Sequence, residues 1–127
     1  MQYVHTCYRV LDLDRSIDFY ANKLGLELVR KSPVGPDATN AFFAVPGDPE
    51  PRLELTLNHD RTEPYPLGEG YSHIAFVVDD LDALAQKLED AGGVDFESKP
   101  HAMGGSGTRL FFVRDPDGYR IEFIERS

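Results

Sequence analysis

The chain has 127 residues and a formal net charge of −9, a field that repels the phosphate backbone and makes nucleic acid a poor partner. Its hydrophobic fraction of 41% suffices for one compact domain, or for two small modules that share a core, and no run reaches the roughly 18–20 apolar residues of a membrane span. The opening MQYVHTCYRV lacks the pattern of a secretory leader, and a single cysteine, Cys7, excludes an internal disulfide and favours a reducing cytoplasm.

The first element is a short β-rich run from His5, HTCYRV, which passes through the acidic turn VLDLD into an amphipathic helix. Ile17, Phe19, Tyr20 and Leu24 form its apolar face, and Gly25 supplies the expected C-cap. Strands ELVRK, NAFFAV and RLELTLN follow, with a hairpin turn at PGDPEP (46–51). A segment rich in Pro, Gly and Glu, residues 58–70, reads as a linker. A second run opens at His73 and repeats the plan: an acidic turn, a helix with Leu81, Leu84, Leu88 and Ala91 on its apolar face, and Gly92 and Gly93 at its end. Its strands are VDFESK, TRLFFVR and YRIEFIE, with a turn at DPDG (115–118). Each half is therefore βαβββ, in an α+β chain whose modules span residues 1–57 and 71–127.

A shift of 68 residues superposes the halves: Val10 falls on Val78, Asp12 on Asp80, Leu13 on Leu81, Leu53 on Ile121 and Glu54 on Glu122. One shift from end to end, without a net gap, marks a duplication. Each module then contributes a His on its first strand and a Glu on its last, 49 residues apart in both. Strand alternation sends Leu53, Leu55 and Leu57 to the core and Glu54 to the other face, and it sets Glu122 opposite Tyr119, Ile121 and Phe123.

A lone His on a strand is ordinarily a hydrogen-bonded structural residue, and a lone Glu ordinarily faces water. Four such residues in register across a duplication need a common explanation, because a carboxylate centred in an apolar strand is costly to bury unpaired. A divalent metal held by His5, Glu54, His73 and Glu122 supplies it. His59 and His101 have no counterpart under the shift and read as surface residues. Cys7 lies near His5 but pairs with Ala75, which favours a small buried hydrophobe over chemistry.

These motifs carry a resemblance. HTCYRVLDLDRSIDFYANKLGLEL, LELTLN, GYSHIAFVVDD and FVRDPDGYRIEFIE together cover most of the chain and resemble the vicinal oxygen chelate superfamily, within it the short bacterial type of glyoxalase I. The resemblance implies paired βαβββ modules forming a half-open barrel around the metal. It also implies a homodimer with sites shared between subunits, His5 and Glu54 coming from one and His73 and Glu122 from the other. Arg9 and Asn58 match positions that hold the γ-glutamyl end of the thiol cosubstrate, glutathione. The implied reaction isomerises the hemithioacetal of methylglyoxal and glutathione to S-lactoylglutathione, with Glu122 as base and Glu54 as its catalytic partner. The short form resembles the nickel- or cobalt-activated class, so nickel is favoured, with cobalt or zinc as alternatives. In the loop KPHAMGGSGTRLFF Met103 stands near a lysine of the family pattern, with Lys99 or Arg109 as substitutes, and a thiol lacking the glycine of glutathione becomes a candidate.

Rival readings stay within the same scaffold. Extradiol dioxygenases use two His and one carboxylate, and thiol transferases acting on fosfomycin use three protein ligands, so a second Glu argues against both. Epimerases of coenzyme A esters also abstract a carbon-bound proton beside a metal. A non-catalytic drug-binding protein needs no metal set.

Overall fold

The computed structural model describes residues 1–126. The chain divides into two compact units, Met1–Pro66 and Leu67–Ser127. Unit 1 runs β1 (Thr6–Val10), α1 (Leu13–Ile17), a π-helical segment (Asp18–Lys23), β2 (Glu27–Val34), β3 (Ala38–Ala44) and β4 (Leu53–Asn58). Unit 2 runs β5 (His73–Val78), α2 (Leu81–Ala91), β6 (Asp95–Phe96), β7 (His101–Ala102), β8 (Arg109–Arg114) and β9 (Arg120–Glu125). Among the described residues no helix is long and apolar enough to cross a membrane.

Each unit has one open mixed sheet, ordered β1-β4-β3-β2 in unit 1 and β5-β9-β8-β6 in unit 2, with β7 paired to β8. The first strand of each module lies parallel to its last, and the register repeats: Cys7 faces Glu54, and Ala75 faces Glu122. The shift of 68 therefore holds in the backbone pairing as well as in the sequence. It does not hold everywhere. Phe42 pairs with Glu54 and Phe112 with Glu122, which is a shift of 70 on the third strand. Unit 2 carries two more residues before this strand, around β6 and β7, and two fewer in the turn after it, so the insertions cancel in the net count. The expected strand VDFESK is correspondingly short, reduced to Asp95–Phe96.

The repeated acidic turn has a physical role. Asp12 Oδ1 accepts from Arg15 N at 3.1 Å and Asp80 Oδ1 from Ala83 N at 3.0 Å, so each aspartate caps the N-terminus of its helix. The first helix then widens into π winding, with Leu24 N bonded to Phe19 O. That rotation carries Phe19 and Tyr20 together into the core, where the Tyr20 hydroxyl meets that of Tyr8 at 2.6 Å. In α2 the buried face is Leu81, Ala85 and Leu88, whereas Ala91 is exposed at the helix end. Val10, Leu55 and Phe43 fill unit 1, and Phe111, Val113 and Ile121 fill unit 2.

The DPDG turn is tightly organised. The buried Asp115 accepts from the backbone N–H groups of Asp117 and Tyr119, both at 2.9 Å, and Gly118 has φ +94°, a left-handed conformation open to glycine. This turn sets the register of β8 against β9, and so the position of Glu122.

Candidate metal centre

His73 is the first residue of β5, whereas His5 lies one residue ahead of β1. Both still point to the face their strands present away from the core, because the core face is taken by Tyr8 and Val10 in β1 and by Leu53 and Leu55 in β4. His5 Nε2 sits 2.9 Å from Glu54 Oε1, and His73 Nε2 sits 3.1 Å from Glu122 Oε1. The carboxylates are shielded, at 12% and 14% side-chain exposure, and the imidazoles are more open, at 39% and 30%. The four residues come together as two pairs, one within each unit. Among the described residues no group of three or more His, Cys, Asp or Glu is arranged to hold a metal ion.

The donor spacing fits a divalent cation. Imidazole nitrogens and carboxylate oxygens bind such ions at about 2.0–2.2 Å, and donors at adjacent corners of one coordination sphere then lie about 3 Å apart. Both pairs have that separation. It is also a hydrogen-bonding distance, so each His and Glu can bond to one another or to a shared cation.

Several groups around the pairs were not picked out from the sequence. The Phe42 ring meets His5 edge-on at 5.7 Å between centroids, and Phe112 meets His73 at 5.0 Å. An arginine covers each phenylalanine, Arg30 over Phe42 and Arg120 over Phe112, both at 4.3 Å. Asn40 Nδ2 donates to Glu54 Oε2 at 2.6 Å. On the other side, Ser72 Oγ bonds His73 Nδ1 at 2.7 Å, and Arg120 reaches Ser72 at 3.4 Å while forming a two-pronged bridge to Glu97 at 2.8 and 2.7 Å. Those bonds from Arg120, ahead of its charge and that of Arg114, hold the Glu97 carboxyl below the ordinary glutamate value. Both phenylalanines pair in register with their module's glutamate, but they precede it by unequal lengths of chain, so a gapless shift does not align them.

Arg9 is exposed on the face of β1 shared with Cys7, and it pairs in register with Thr56. Asn58 ends β4 and donates to the Tyr65 hydroxyl at 3.0 Å. Cys7 is exposed rather than buried, because it alternates with the core residue Tyr8 and shares the face of Glu54. Partial burial of its thiol, opposed by the Thr56 hydroxyl and reinforced by Glu54, raises its pKa above the ordinary thiol value, which keeps it protonated at neutral pH. His59 and His101 are both exposed, His59 bonded to Thr39 and His101 to the Lys99 carbonyl within β7. Lys99 pairs with Glu89 and lies 3.6 Å over the Phe96 ring. Arg109 forms a fork to Asp82, both arms at 2.9 Å.

Comparison with known proteins agrees with this architecture. Residues 2–123 match the family model described as Glyoxalase/Bleomycin resistance protein/Dioxygenase superfamily. The lactoylglutathione lyase of Haemophilus influenzae is 44% identical, over 100% of this chain and 94% of its own. Among solved structures, glyoxalase I from Zea mays superposes with a TM-score of 0.90 at 36% identity, covering 99% of this chain and 45% of the maize chain, so the chain spans about half of that relative's length. The trypanothione-dependent glyoxalase I of Leishmania major superposes with a TM-score of 0.82 at 38% identity, covering 98% and 86%. The repeated module, the paired His and Glu and these likenesses over nearly all of this chain agree: the chain belongs to the glyoxalase and vicinal oxygen chelate superfamily, among its lactoylglutathione lyase (glyoxalase I) relatives.

Proposed function

We propose that this chain is a lactoylglutathione lyase that isomerises the hemithioacetal of methylglyoxal and glutathione to S-lactoylglutathione, at a centre where His5, Glu54, His73 and Glu122 hold one divalent cation. The observation that carries the reading is the His–Glu pair built twice at one register, 2.9 Å apart in unit 1 and 3.1 Å in unit 2. Two donors per unit make half a ligand set, which supports a homodimer in which each centre takes one pair from each copy. Nickel is the favoured ion, with cobalt and zinc as alternatives, and the protein works in the cytoplasm.

When bound, the cation serves as a Lewis acid toward the oxygens of the hemithioacetal. Glu122 removes the proton from the carbon that bears sulfur and returns it to the adjacent carbonyl carbon. The hydroxyl and carbonyl exchange places, with no net gain or loss of protons. Arg9 supplies positive charge for the γ-glutamyl carboxylate, and Asn58 supplies an amide beside it. At the far end of the thiol, Met103 is exposed while Lys99 and Arg109 are engaged by Glu89 and Asp82. That favours acceptance of a thiol lacking the glycine, such as γ-glutamylcysteine.

The test is an isomerase assay on metal-stripped protein with methylglyoxal and either thiol, repeated after adding nickel, cobalt or zinc. Activity should return most fully with nickel, and no activity with any metal or thiol would remove the reading. A large preference for glutathione would remove only the thiol proposal.

A further inference from the structure

The two carboxylates differ in what holds them. Asn40 Nδ2 donates to Glu54 Oε2 at 2.6 Å, and Thr56 Oγ1 donates to Asn40 Oδ1 at 2.8 Å. The second bond fixes which end of the amide faces Glu54, because the Asn40 oxygen is already claimed. Cys7 Sγ, 3.3 Å from Thr56 Oγ1, extends the chain. With His5 at Oε1, both oxygens of Glu54 have partners.

In unit 2 the register partners that correspond to Asn40 and Thr56 are Leu110 and Ile124. Neither side chain can donate or accept. Glu122 meets His73 through Oε1, and its Oε2 has no hydrogen-bond partner among the described residues. A proton arriving on Glu54 Oε2 would face the Asn40 N–H, donor against donor, unless the amide turned and broke its bond from Thr56. A proton arriving on Glu122 Oε2 displaces nothing.

We infer that Asn40, oriented by Thr56, is a positioning residue that locks Glu54 as a fixed ligand through one oxygen and thereby assigns the proton-carrying role to Glu122. The inference rests on the metal-centre reading above and deepens it. It predicts that the amide acts through Glu54 on both metal affinity and the choice of base, which a merely structural residue would not do.

The experiment uses the full chain, stripped of metal and titrated with nickel by calorimetry, with thermal melting to check folding. Asn40→Leu and Thr56→Val should weaken nickel binding by about tenfold or more, while Thr56→Ser, which keeps the hydroxyl, should retain wild-type affinity. In turnover, Glu122→Gln should cost less in the Asn40→Leu background than in wild type, because the released Glu54 takes up part of the proton transfer. Should Asn40→Leu fail to fold, Thr56→Val carries both measurements. A folded variant with wild-type nickel affinity and an undiminished Glu122→Gln loss overturns the inference alone. Wild-type protein that takes up no nickel, cobalt or zinc overturns the metal-centre reading and the inference with it.

Discussion

Unit 1 and unit 2 set a histidine against a glutamate through the same parallel register, Cys7 on Glu54 and Ala75 on Glu122, yet they restrain opposite members of the pair. In unit 1 the carboxylate is held, by Asn40 and through it Thr56, while among the described residues His5 has only the edge contact with Phe42 beyond its glutamate. In unit 2 the imidazole is held, by Ser72 at Nδ1 and by Arg120 and Glu97 behind it. The faces differ in polarity as well: Arg9 and Thr56 in unit 1 correspond to Val77 and Ile124 in unit 2. The duplication kept the positions of the four donors and changed their surroundings, so equivalent residues are not interchangeable.

The largest test of that difference compares Glu122→Gln with Glu54→Gln. Loss of the base should lower kcat by about 10³-fold with nickel still bound, whereas loss of the fixed ligand should appear first as weaker nickel binding, by about 10–100-fold. Equal kcat losses at unchanged affinity would erase the distinction between the units. Next come the cores, where the units should behave alike. Leu55→Ala and Ile121→Ala remove side chains with no exposed surface, and each should cost about 3 kcal/mol in denaturant unfolding; a cost near zero at either site would show that its core is not packed as described.

Ser72→Ala removes the bond that orients His73 and should weaken nickel binding by about tenfold. A calorimetric titration indistinguishable from wild type would reduce Ser72 to a bystander. The smallest effect is expected from Glu97→Gln, about 1 kcal/mol near neutral pH. Because Arg120 holds the folded Glu97 carboxyl below its unfolded value, that stabilisation is present above the unfolded pKa and is lost as pH falls through the folded one. The melting temperatures of wild type and Glu97→Gln should therefore converge in acid, and a gap that persists there would place the effect in packing instead of charge.

Much of this was readable in the sequence, and for a physical reason. The repeat of apolar residues at period two determines which face Glu54 and Glu122 occupy, and the equal His-to-Glu spacing survives because it is set by the pairing of first and last strands. The helix caps Asp12 and Asp80 were visible as a repeated acidic turn. What could not be read depends on contacts that periodicity does not encode. The offset of 70 on the third strand arises from two length changes that cancel, so a gapless shift hides it, and with it the equivalence of Phe42 and Phe112. Asn40 reaches Glu54 only because β3 pairs with β4 at one register. Alternation already places Cys7 on the face of His5 and Arg9, and its expected burial fails because that face is left open within the chain. The π winding at residues 18–23 is likewise invisible to a pattern that tests only for a period of 3.6.

The parallel pairing of β1 with β4 also governs when the donor pair comes into being. His5 belongs to the first stretch of the chain to be translated, but its partner Glu54 arrives after a helix, two further strands and a long turn. Since a parallel neighbour can dock only once the intervening segment has crossed over, a nascent chain carries an unpaired histidine until β4 closes the sheet. The two-donor grip proposed for each half thus exists only once its first and last strands have paired, and an incomplete module lacks it.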